Sequence, residues 1–264
     1  MTLHVSIPAE SATCVVVVGG LDPGAGAGLA RDLLTASALD ARAVLVGTAW
    51  TEQGALSDRI IEARPAGRVS AALAAALAKT GATGAVKIGM VATAAIANAL
   101  DQALANYAGA VVYDPVLRAS SGDALYDGDR QSVLALARRS TLLTPNLAEA
   151  GWLLDRSVET EADAWAAGRA LRELGIRAVL VKGGHLQGDA TDILLSPAGE
   201  TLFSSPRIAG PSPRGTGCAL ATAIAVGLAR GETLDRSVAA AKAWLHRRIE
   251  QAQTVAGEHQ LGAG

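Results

Sequence analysis

The sequence predicts an α/β domain whose mainly parallel central sheet is covered by helices on both faces. Short β-branched runs, apolar on both faces, alternate along the chain with alanine-rich stretches of helical length. This alternation is typical of parallel sheets. Half of the 264 residues are hydrophobic but only 3% are aromatic, so we expect a core of Ala, Val, Leu and Ile. No linker-like or low-complexity segment interrupts the chain, which favours one domain over residues 1–264.

The individual elements follow from the same pattern, taken in order along the chain. Runs rich in Val, Ile and Leu predict strands over residues 14–18, 43–49, 84–88, 110–113, 141–143 and 178–182. Alanine- and leucine-rich stretches predict helices over residues 26–39, 68–79, 93–107, 131–138, 146–154, 161–174, 216–229 and 233–253. Two further short runs, 192–195 and 200–204, predict a hairpin that turns at residues 197–199.

Composition argues against several classes of protein. A net charge of −2 gives no electrostatic reason to expect a nucleic-acid partner. No apolar run reaches the ~18 residues that span a bilayer, and the first residues lack the pattern of a signal peptide. Two cysteines far apart in sequence make no disulfide framework, so we expect a cytoplasmic protein with reduced thiols. Cys14 begins an apolar strand and is expected in the core.

Polar residues follow five of the predicted strands. Ligands of open α/β sheets bind beyond the carboxyl ends of the strands, so these residues are expected to converge on one edge of the sheet. They are residues 19–22, residues 48–53, Asp114, residues 144–146 and residues 182–185.

The segment RGTGCALATAI, residues 214–224, is the most informative of the motifs. A glycine-rich turn that opens a helix leaves backbone N–H groups unpaired at the positive end of the helix dipole. Gly215, Thr216 and Gly217 therefore predict a cradle for a phosphate or a phosphoryl group. The same field is expected to favour the thiolate of Cys218. The alternative is a glycine turn that only connects a strand to a packed helix.

The glycines of residues 22–32, DPGAGAGLARD, follow the first predicted strand. Their spacing departs from the dinucleotide fingerprint, because Leu29 stands where the third glycine is needed. The segment is interpreted as a backbone platform for a flat or polar ligand, or as a loop that requires positive φ angles.

Asn146 and Glu149 lie three residues apart at a predicted helix start. Asn146 and Glu149 suit Mg²⁺ near bound phosphates, or they form a capping box, and both interpretations can hold together.

Three single residues also follow predicted strands. Lys182, at a strand end before two glycines, could neutralise phosphate charge or be a solvated lysine. Glu52 could bind a ring amine or hydroxyl, or be an exposed loop acid. His185 is expected to be structural.

Seven short stretches, in one order and spacing, carry a resemblance to a known family. They are GGLDPGAGAGLARDLLT, VGTAWTEQG, VKIGMV, VVYDPVLRASSGD, LLTPNLAEA, VLVKGGHL and RGTGCALATAIA. With them the chain resembles the hydroxymethylpyrimidine/phosphomethylpyrimidine kinases of thiamine biosynthesis, within the ribokinase-like superfamily. The resemblance spans nearly the whole chain. It implies a three-layer α/β/α sandwich, ATP and Mg²⁺ as cofactors, a small pyrimidine substrate and a homo-oligomer, in this family a dimer.

The resemblance also implies roles for residues of the substrate site. Glu52 occupies the place of the family's pyrimidine-binding residue. Gly20, Met90 and Val116 fall where the family lines the pyrimidine pocket, and Asp32 falls where a family aspartate lies near the substrate loop.

The phosphate side of the site is assigned by the same resemblance. Asn146 and Glu149 match the NxxE motif, in which Glu149 would hold the metal through water. Lys182 matches a lysine close to the ATP phosphates, and Asp114 and Arg214 are expected beside the same cofactor. Cys218 stands where sugar kinases carry an aspartate base.

Two residues depart from the family pattern, Leu21 where threonine or serine is common and Arg214 where histidine is common. Both changes concern the substrate loop and the approach to the anion cradle. A pyridoxal or pyridoxine kinase of the same superfamily therefore stays open as an alternative. So does a ligand-binding module that has kept the fold without catalysis.

Overall fold

The computed structural model describes residues 13–53, 59–80, 84–119, 122–184, 188–255 and 258–262. The strands are β1 Cys14–Leu21, β2 Arg42–Gln53, β3 Arg59–Ala63, β4 Ala85–Ile88, β5 Val111–Tyr113, β6 Leu142–Leu143, β7 Val179–Gly183, β8 Ala190–Ser196, β9 Gly199–Ser205, β10 Gln253–Val255 and β11 Glu258–Gln260. The helices are α1 Gly28–Ala38, α2 Ala66–Thr80, α3 Ala94–Ala103, α4 Arg130–Arg139, α5 Leu147–Leu154, α6 Glu161–Glu173, α7 Thr216–Ala229 and α8 Leu234–Glu250.

Nine strands form one sheet in the order β3-β2-β1-β4-β5-β6-β7-β8-β9. The six strands from β2 to β7 in this order run parallel. The edge strands β3 and β9, and β8 beside β9, pair antiparallel with their neighbours. β1 pairs parallel with β2 on one side and with β4 on the other. The loops after these three strands therefore lie at the same carboxyl edge of the sheet, where ligands of such sheets bind.

The valines of β1 show how the sheet is buried on both faces. Val16 and Val18 contact one apolar layer, and Val15 and Val17 contact the other, because successive strand residues point to opposite faces. The first layer is built from α2, α3, α4, α5 and α6, and the second from α1, α7 and α8. The expected three-layer α/β/α architecture with a mainly parallel sheet is confirmed.

Helix α7 is apolar on almost every side. It lies against the sheet and between α1 and α8, and nine consecutive residues from Ala219 to Gly227 are buried. A helix that is hydrophobic all round is buried all round. This burial fixes the direction of α7 and aims its first turn at the carboxyl edge of the sheet.

The predicted strands and helices are all present, with bounds that differ by a few residues, and β2 is several residues longer. Three strands were missed. β3 is an edge strand of five residues, two of them charged, and it pairs antiparallel with the end of β2. The predicted helix 233–253 ends at Glu250, and β10 and β11 form a small hairpin beyond it. In the described part of the chain no helix is both long and apolar enough to cross a membrane.

Candidate active site

A cleft of about 1350 Å³ opens along the carboxyl edge of the sheet. Ligand sites in proteins usually measure roughly 300–1,000 Å³, so this cleft has room for a nucleotide and a small ring side by side. Its wall includes the loop after β1, the residues after β4 and β5, the start of α5, the end of β7, and the first turn of α7. The polar loops that the sequence singled out therefore meet in one place.

The first turn of α7 lies at the centre of the cleft. Gly215 caps the helix in the left-handed region, at φ 77°, and no side chain caps it. A Cβ on Gly215 would overlap the carbonyl oxygen of Gly26, so only glycine fits. The first helical hydrogen bond runs from the N–H of Ala219 to the oxygen of Gly215. The N–H groups of residues 215–218 therefore have no acceptor within the helix and are available to a ligand, as the anion cradle requires.

Lys182 connects this turn to the acidic residues of the site. Its Nζ lies 2.5 Å from Oδ1 of Asp114 and 4.0 Å from Oε2 of Glu149. A Cβ added to Gly217 would come within 3.2 Å of the same Nζ, which shows how closely α7 approaches the lysine. Only 14% of the Lys182 side chain is exposed, so the interpretation as a solvated strand-end lysine is wrong.

The two charges beside Lys182 decide its protonation. Burial by itself lowers its pKa, but the carboxylates of Asp114 and Glu149 and the hydrogen bond to Asp114 raise the pKa to about 12. Lys182 is therefore a permanent cation at the mouth of the phosphate cradle. Asp114 is itself buried and accepts a second hydrogen bond from Oγ1 of Thr144, at 3.2 Å.

Asn146 and Glu149 form the capping box of α5. Oδ1 of Asn146 accepts from the N–H of Glu149, and Oε2 of Glu149 accepts from the N–H of Asn146, both at 2.8 Å. Burial raises the pKa of Glu149 to about 7, although Lys182 opposes the rise.

The capping box leaves Glu149 available for a metal. Its carboxylate still faces the cleft beside Lys182. Among the described residues no group of three or more His, Cys, Asp or Glu could enclose a metal ion. This donor set fits Mg²⁺, which keeps most of its waters and is held by one or two carboxylates together with substrate phosphates.

The loop after β1 forms the opposite wall. Oδ1 of Asp22 accepts from the N–H of Gly24 and Oδ2 accepts from the N–H of Ala27, each at 3.1 Å, so the carboxylate shapes the glycine-rich loop. The guanidinium of Arg214 lies 3.1 Å from the same Oδ2. This ion pair joins the loop after β1 to the residue that precedes the anion cradle.

The residues expected in the pyrimidine pocket lie beside this loop. Gly20, Met90 and Val116 all line the cleft, and Gly20 lies against the sulfur of Met90. The backbone oxygen of Met90 accepts from Oγ1 of Thr48 at 2.7 Å, which fixes this wall to β2. Glu52 pairs with Ile60 at the end of β2, but its side chain, like His185, lies outside the described part of the structure.

Cys218 is partly exposed in the cleft. Burial of its surroundings raises the pKa of its thiol to about 11, while the charge of Lys87 and the N–H of Gly28 act in the opposite direction. The expectation that the helix start by itself favours the thiolate is therefore wrong for the chain without ligands, because removal of water outweighs the field of one helix end. Cys14 is half-buried, and burial raises its pKa as well.

Asp32 lies at the bottom of the cleft, fully buried. Its carboxylate binds Nζ of Lys87 at 2.8 and 2.9 Å and accepts from Oγ1 of Thr222 at 2.8 Å. Lys87 and Thr222 were not expected at the site from the sequence. A lysine inside the apolar strand AVKI was the available signal for Lys87, since charged residues are almost never fully buried without a partner.

A second buried ion pair, also unexpected, lies farther along the cleft. Nζ of Lys242 on α8 is 2.6 Å from Oδ2 of Asp192 on β8. Oδ1 of Asp192 accepts from the N–H of Gly183, so the pair also fixes the turn that follows Lys182.

Comparison with known proteins places this geometry in a family. The family model for phosphomethylpyrimidine kinase matches residues 22–262. A hydroxymethylpyrimidine/phosphomethylpyrimidine kinase of Rhizobium meliloti is 41% identical over 253 residues, which are 94% of this chain and 92% of that protein.

Solved structures agree in fold. A phosphomethylpyrimidine kinase from Clostridium difficile is 27% identical with a TM-score of 0.75, over 90% of this chain and 99% of that chain. A pyridoxal kinase from Staphylococcus aureus in complex with ADP is 25% identical with a TM-score of 0.86, over 96% and 94%. The chain belongs to the phosphomethylpyrimidine kinase family.

Proposed function

We propose that this chain transfers a phosphoryl group from ATP to 4-amino-5-hydroxymethyl-2-methylpyrimidine, to its monophosphate, or to both, in thiamine biosynthesis. The observation that carries the proposal is the meeting of three parts in one cleft. They are the uncapped first turn of α7, the Lys182 cation between Asp114 and Glu149, and the wall formed by Gly20, Met90 and Val116. The Rhizobium meliloti relative is named a hydroxymethylpyrimidine/phosphomethylpyrimidine kinase and the Clostridium difficile one a phosphomethylpyrimidine kinase.

The phosphate side of the cleft supplies positioning and charge, which phosphoryl transfer requires more than covalent help. The N–H groups of Gly215, Thr216 and Gly217 hold phosphoryl oxygens as an oxyanion hole does. Lys182, and Arg214 at the approach to α7, add fixed positive charge beside Asp114 and Asn146. Mg²⁺, when bound at Glu149 through water, neutralises phosphate charge.

Cys218 is proposed as the base for the attacking hydroxyl. The hydroxyl oxygen bonds to the γ-phosphorus, the bond from that phosphorus to ADP breaks, and the hydroxyl proton passes to the thiolate of Cys218. With a pKa of about 11 the thiolate is the minor form near neutral pH in the chain without ligands. A modest base is sufficient, because a loose transition state needs the base only late.

The ring-binding side of the proposal rests on Gly20, Met90, Val116, Asp32 and Glu52. Gly20 and Met90 give a narrow wall against which a flat ring fits. Asp32 is fully buried and bound to Lys87 and Thr222, so any effect that it has on the ring is indirect. Glu52 remains the predicted partner of a ring amine.

A pyridoxal kinase activity is the second candidate, favoured by the TM-score of 0.86 with the Staphylococcus aureus enzyme. Thermal-shift titration with ATP–Mg²⁺ and with each ring, followed by an ADP-release assay, separates the candidates. Faster ADP release with the pyrimidine than with pyridoxal is expected. Stabilisation by a ring without ADP release would instead identify a binding module. The homo-oligomer, the absence of a nucleic-acid partner and the cytoplasmic location stay predictions.

A further inference from the structure

A buried ion pair at the cleft is bonded to α7, the helix whose first turn forms the anion cradle. Lys87 on β4 and Asp32 on α1 are both completely inaccessible to water, and their side chains are 2.8 Å apart. Asp32 also accepts a hydrogen bond from Thr222 on α7. One carboxylate therefore joins the sheet, α1 and α7 at the bottom of the cleft.

Thr222 connects this pair to Cys218. The two residues are four apart on α7 and so lie on the same face of the helix, one turn from each other. Lys87, Asp32 and Cys218 all line the cleft. A Cβ added to Gly89 would come within 2.9 Å of Nζ of Lys87, so the ammonium reaches up to the end of β4 at the cleft.

Stability alone does not explain why Lys87 and Asp32 are buried. Removing a lysine and an aspartate from water costs several kcal/mol per ion, and apolar residues of similar size often stabilise a fold as well or better. Ionisable groups that burial and a charged partner perturb, and that lie in a cleft, cluster at functional sites, so this pair is a candidate for a functional role.

We propose that Lys87, held by Asp32 and Thr222, is a positioning residue that fixes positive charge beneath Cys218 and so favours its thiolate during catalysis. This inference rests on the proposed role of Cys218 as the base. It extends that role because it names the group whose charge counteracts the effect of burial on the ionisation of the Cys218 thiol.

The charges around Cys218 come from each element packed against it. Lys87 is the strongest influence that lowers the pKa of the thiol, and it outweighs the opposite effect of Asp32. The ion pair therefore has a net positive effect on Cys218, since the cation acts on the thiol more strongly than the anion does. The other charged groups that interact with the thiol are Arg31 on α1, Asp114 after β5 and Lys182 on β7.

The test measures the thiolate of Cys218 through its alkylation. The rate of reaction with iodoacetamide is followed by peptide mass spectrometry between pH 7 and pH 10, and Cys14 in the same samples is the internal control. Two variants are compared with the parent chain, Lys87→Met and the double variant Lys87→Met/Asp32→Asn. The amide of the double variant can still accept from Thr222 and leaves no unpaired buried charge.

Both variants are expected to alkylate Cys218 about tenfold more slowly at each pH, as a rise of about one pKa unit requires, with Cys14 unchanged. The pH at which kcat rises should move upward with it, and KM for ATP should stay the same. The matched control is Arg139→Met/Asp101→Asn, which removes an ion pair between α4 and α3, in the helical layer on the other face of the sheet from α7. It should leave the alkylation of Cys218 unchanged.

Alkylation of Cys218 at the parental rate in a folded Lys87 variant would overturn the inference. If both Lys87 variants fail to fold, Thr222→Val decides, because it keeps both charges and only releases Asp32. A two- to threefold slower alkylation supports the inference, and an unchanged rate overturns it. Full turnover in Cys218→Ala would refute the proposed base instead, whatever the alkylation rates in the Lys87 variants.

Discussion

The ammonium of Lys182 lies 2.5 Å from the buried carboxylate of Asp114, and a Cβ on Gly217 in the first turn of α7 would lie 3.2 Å from the same ammonium. The pair is made by residues 68 positions apart, at the ends of β5 and β7. Under the proposed function, a phosphate at the first turn of α7 would meet a cation whose charge is partly balanced by Asp114. Such a balance would favour release of the nucleotide product as well as binding of the substrate.

Glu149 gives the first prediction, which concerns stability. Its pKa is raised from 4.5 to about 7, so between these values the folded chain binds more protons than the unfolded chain. The free energy of unfolding should therefore fall as the pH rises through this window. Glu149→Gln keeps the capping box and removes the titrating group. Between pH 4.5 and pH 8 the parent chain should lose on the order of 2 kcal/mol more of its free energy of unfolding than the variant does. Urea unfolding at the two pH values measures the difference.

The same variant tests the metal role. Glutamine cannot supply a carboxylate, so Glu149→Gln should need several-fold more Mg²⁺ for half-maximal turnover. Titration of turnover with Mg²⁺ at fixed ATP is the measurement. An unchanged Mg²⁺ requirement would leave Glu149 as a capping residue only.

Gly217 gives a prediction about space. A Cβ there would come 3.2 Å from Nζ of Lys182 and 3.7 Å from Oδ2 of Asp114. Gly217→Ala should push the ammonium away from the cradle, raise KM for ATP and lower turnover about tenfold. Gly67→Ala is the control, because nothing lies within 4 Å of the added methyl group. It should keep full activity and gain a few tenths of a kcal/mol in stability.

Cys218 gives the sharpest test of the proposed chemistry. Cys218→Ala should lower kcat roughly 10²–10⁴-fold if the thiolate is the general base. Cys218→Asp should keep measurable activity, since a carboxylate can take the same proton. In the parent chain, kcat should rise with pH above neutrality, because the pKa of the thiol is about 11 and more thiolate forms as the pH increases. Near-parental turnover in the alanine variant would show that the thiol only packs.

Arg214 gives a prediction about the loop after β1. Arg214→His should weaken the ion pair with Asp22. In this pair the Arg214 side chain is partly exposed and the Asp22 side chain is nearly buried. A double-mutant cycle with Asp22→Asn should show a coupling of about 1 kcal/mol in the free energy of unfolding. KM for ATP should rise a few-fold because fixed charge near α7 is lost. Zero coupling in the cycle would mean that the two residues contribute independently.

Glu52 gives a prediction about ring specificity. If its carboxylate accepts from the ring amine, Glu52→Gln should lower kcat/KM for the pyrimidine about 5- to 100-fold, as expected for a buried polar contact worth about 1–3 kcal/mol. ATP binding, measured by titration calorimetry, should be unaffected. Identical pyrimidine kinetics in the variant would remove Glu52 from the substrate site.

The sequence by itself determined the sheet and the position of its functional edge. The four consecutive valines of β1 and the apolar runs of β4, β5 and β7 can be buried only if both faces of a sheet are covered, so the layers followed from the local pattern. The cradle at residues 215–217 was equally local, because a glycine turn followed by good helix formers makes a helix N-terminus wherever it lies. The capping box of Asn146 and Glu149 was predicted for the same reason.

Only the tertiary structure decided which charges meet and how they titrate. Nothing near Lys87 in the sequence indicates Asp32, which is 55 residues away, or Thr222, which is 190 residues from Asp32. The raised pKa of Cys218 was missed for the same physical reason. A helix end acts over one turn and is visible in the sequence, whereas loss of water depends on every element packed around the thiol. Edge strand β3 escaped notice because its pairing partner, the end of β2, sets its conformation more than its own residues do.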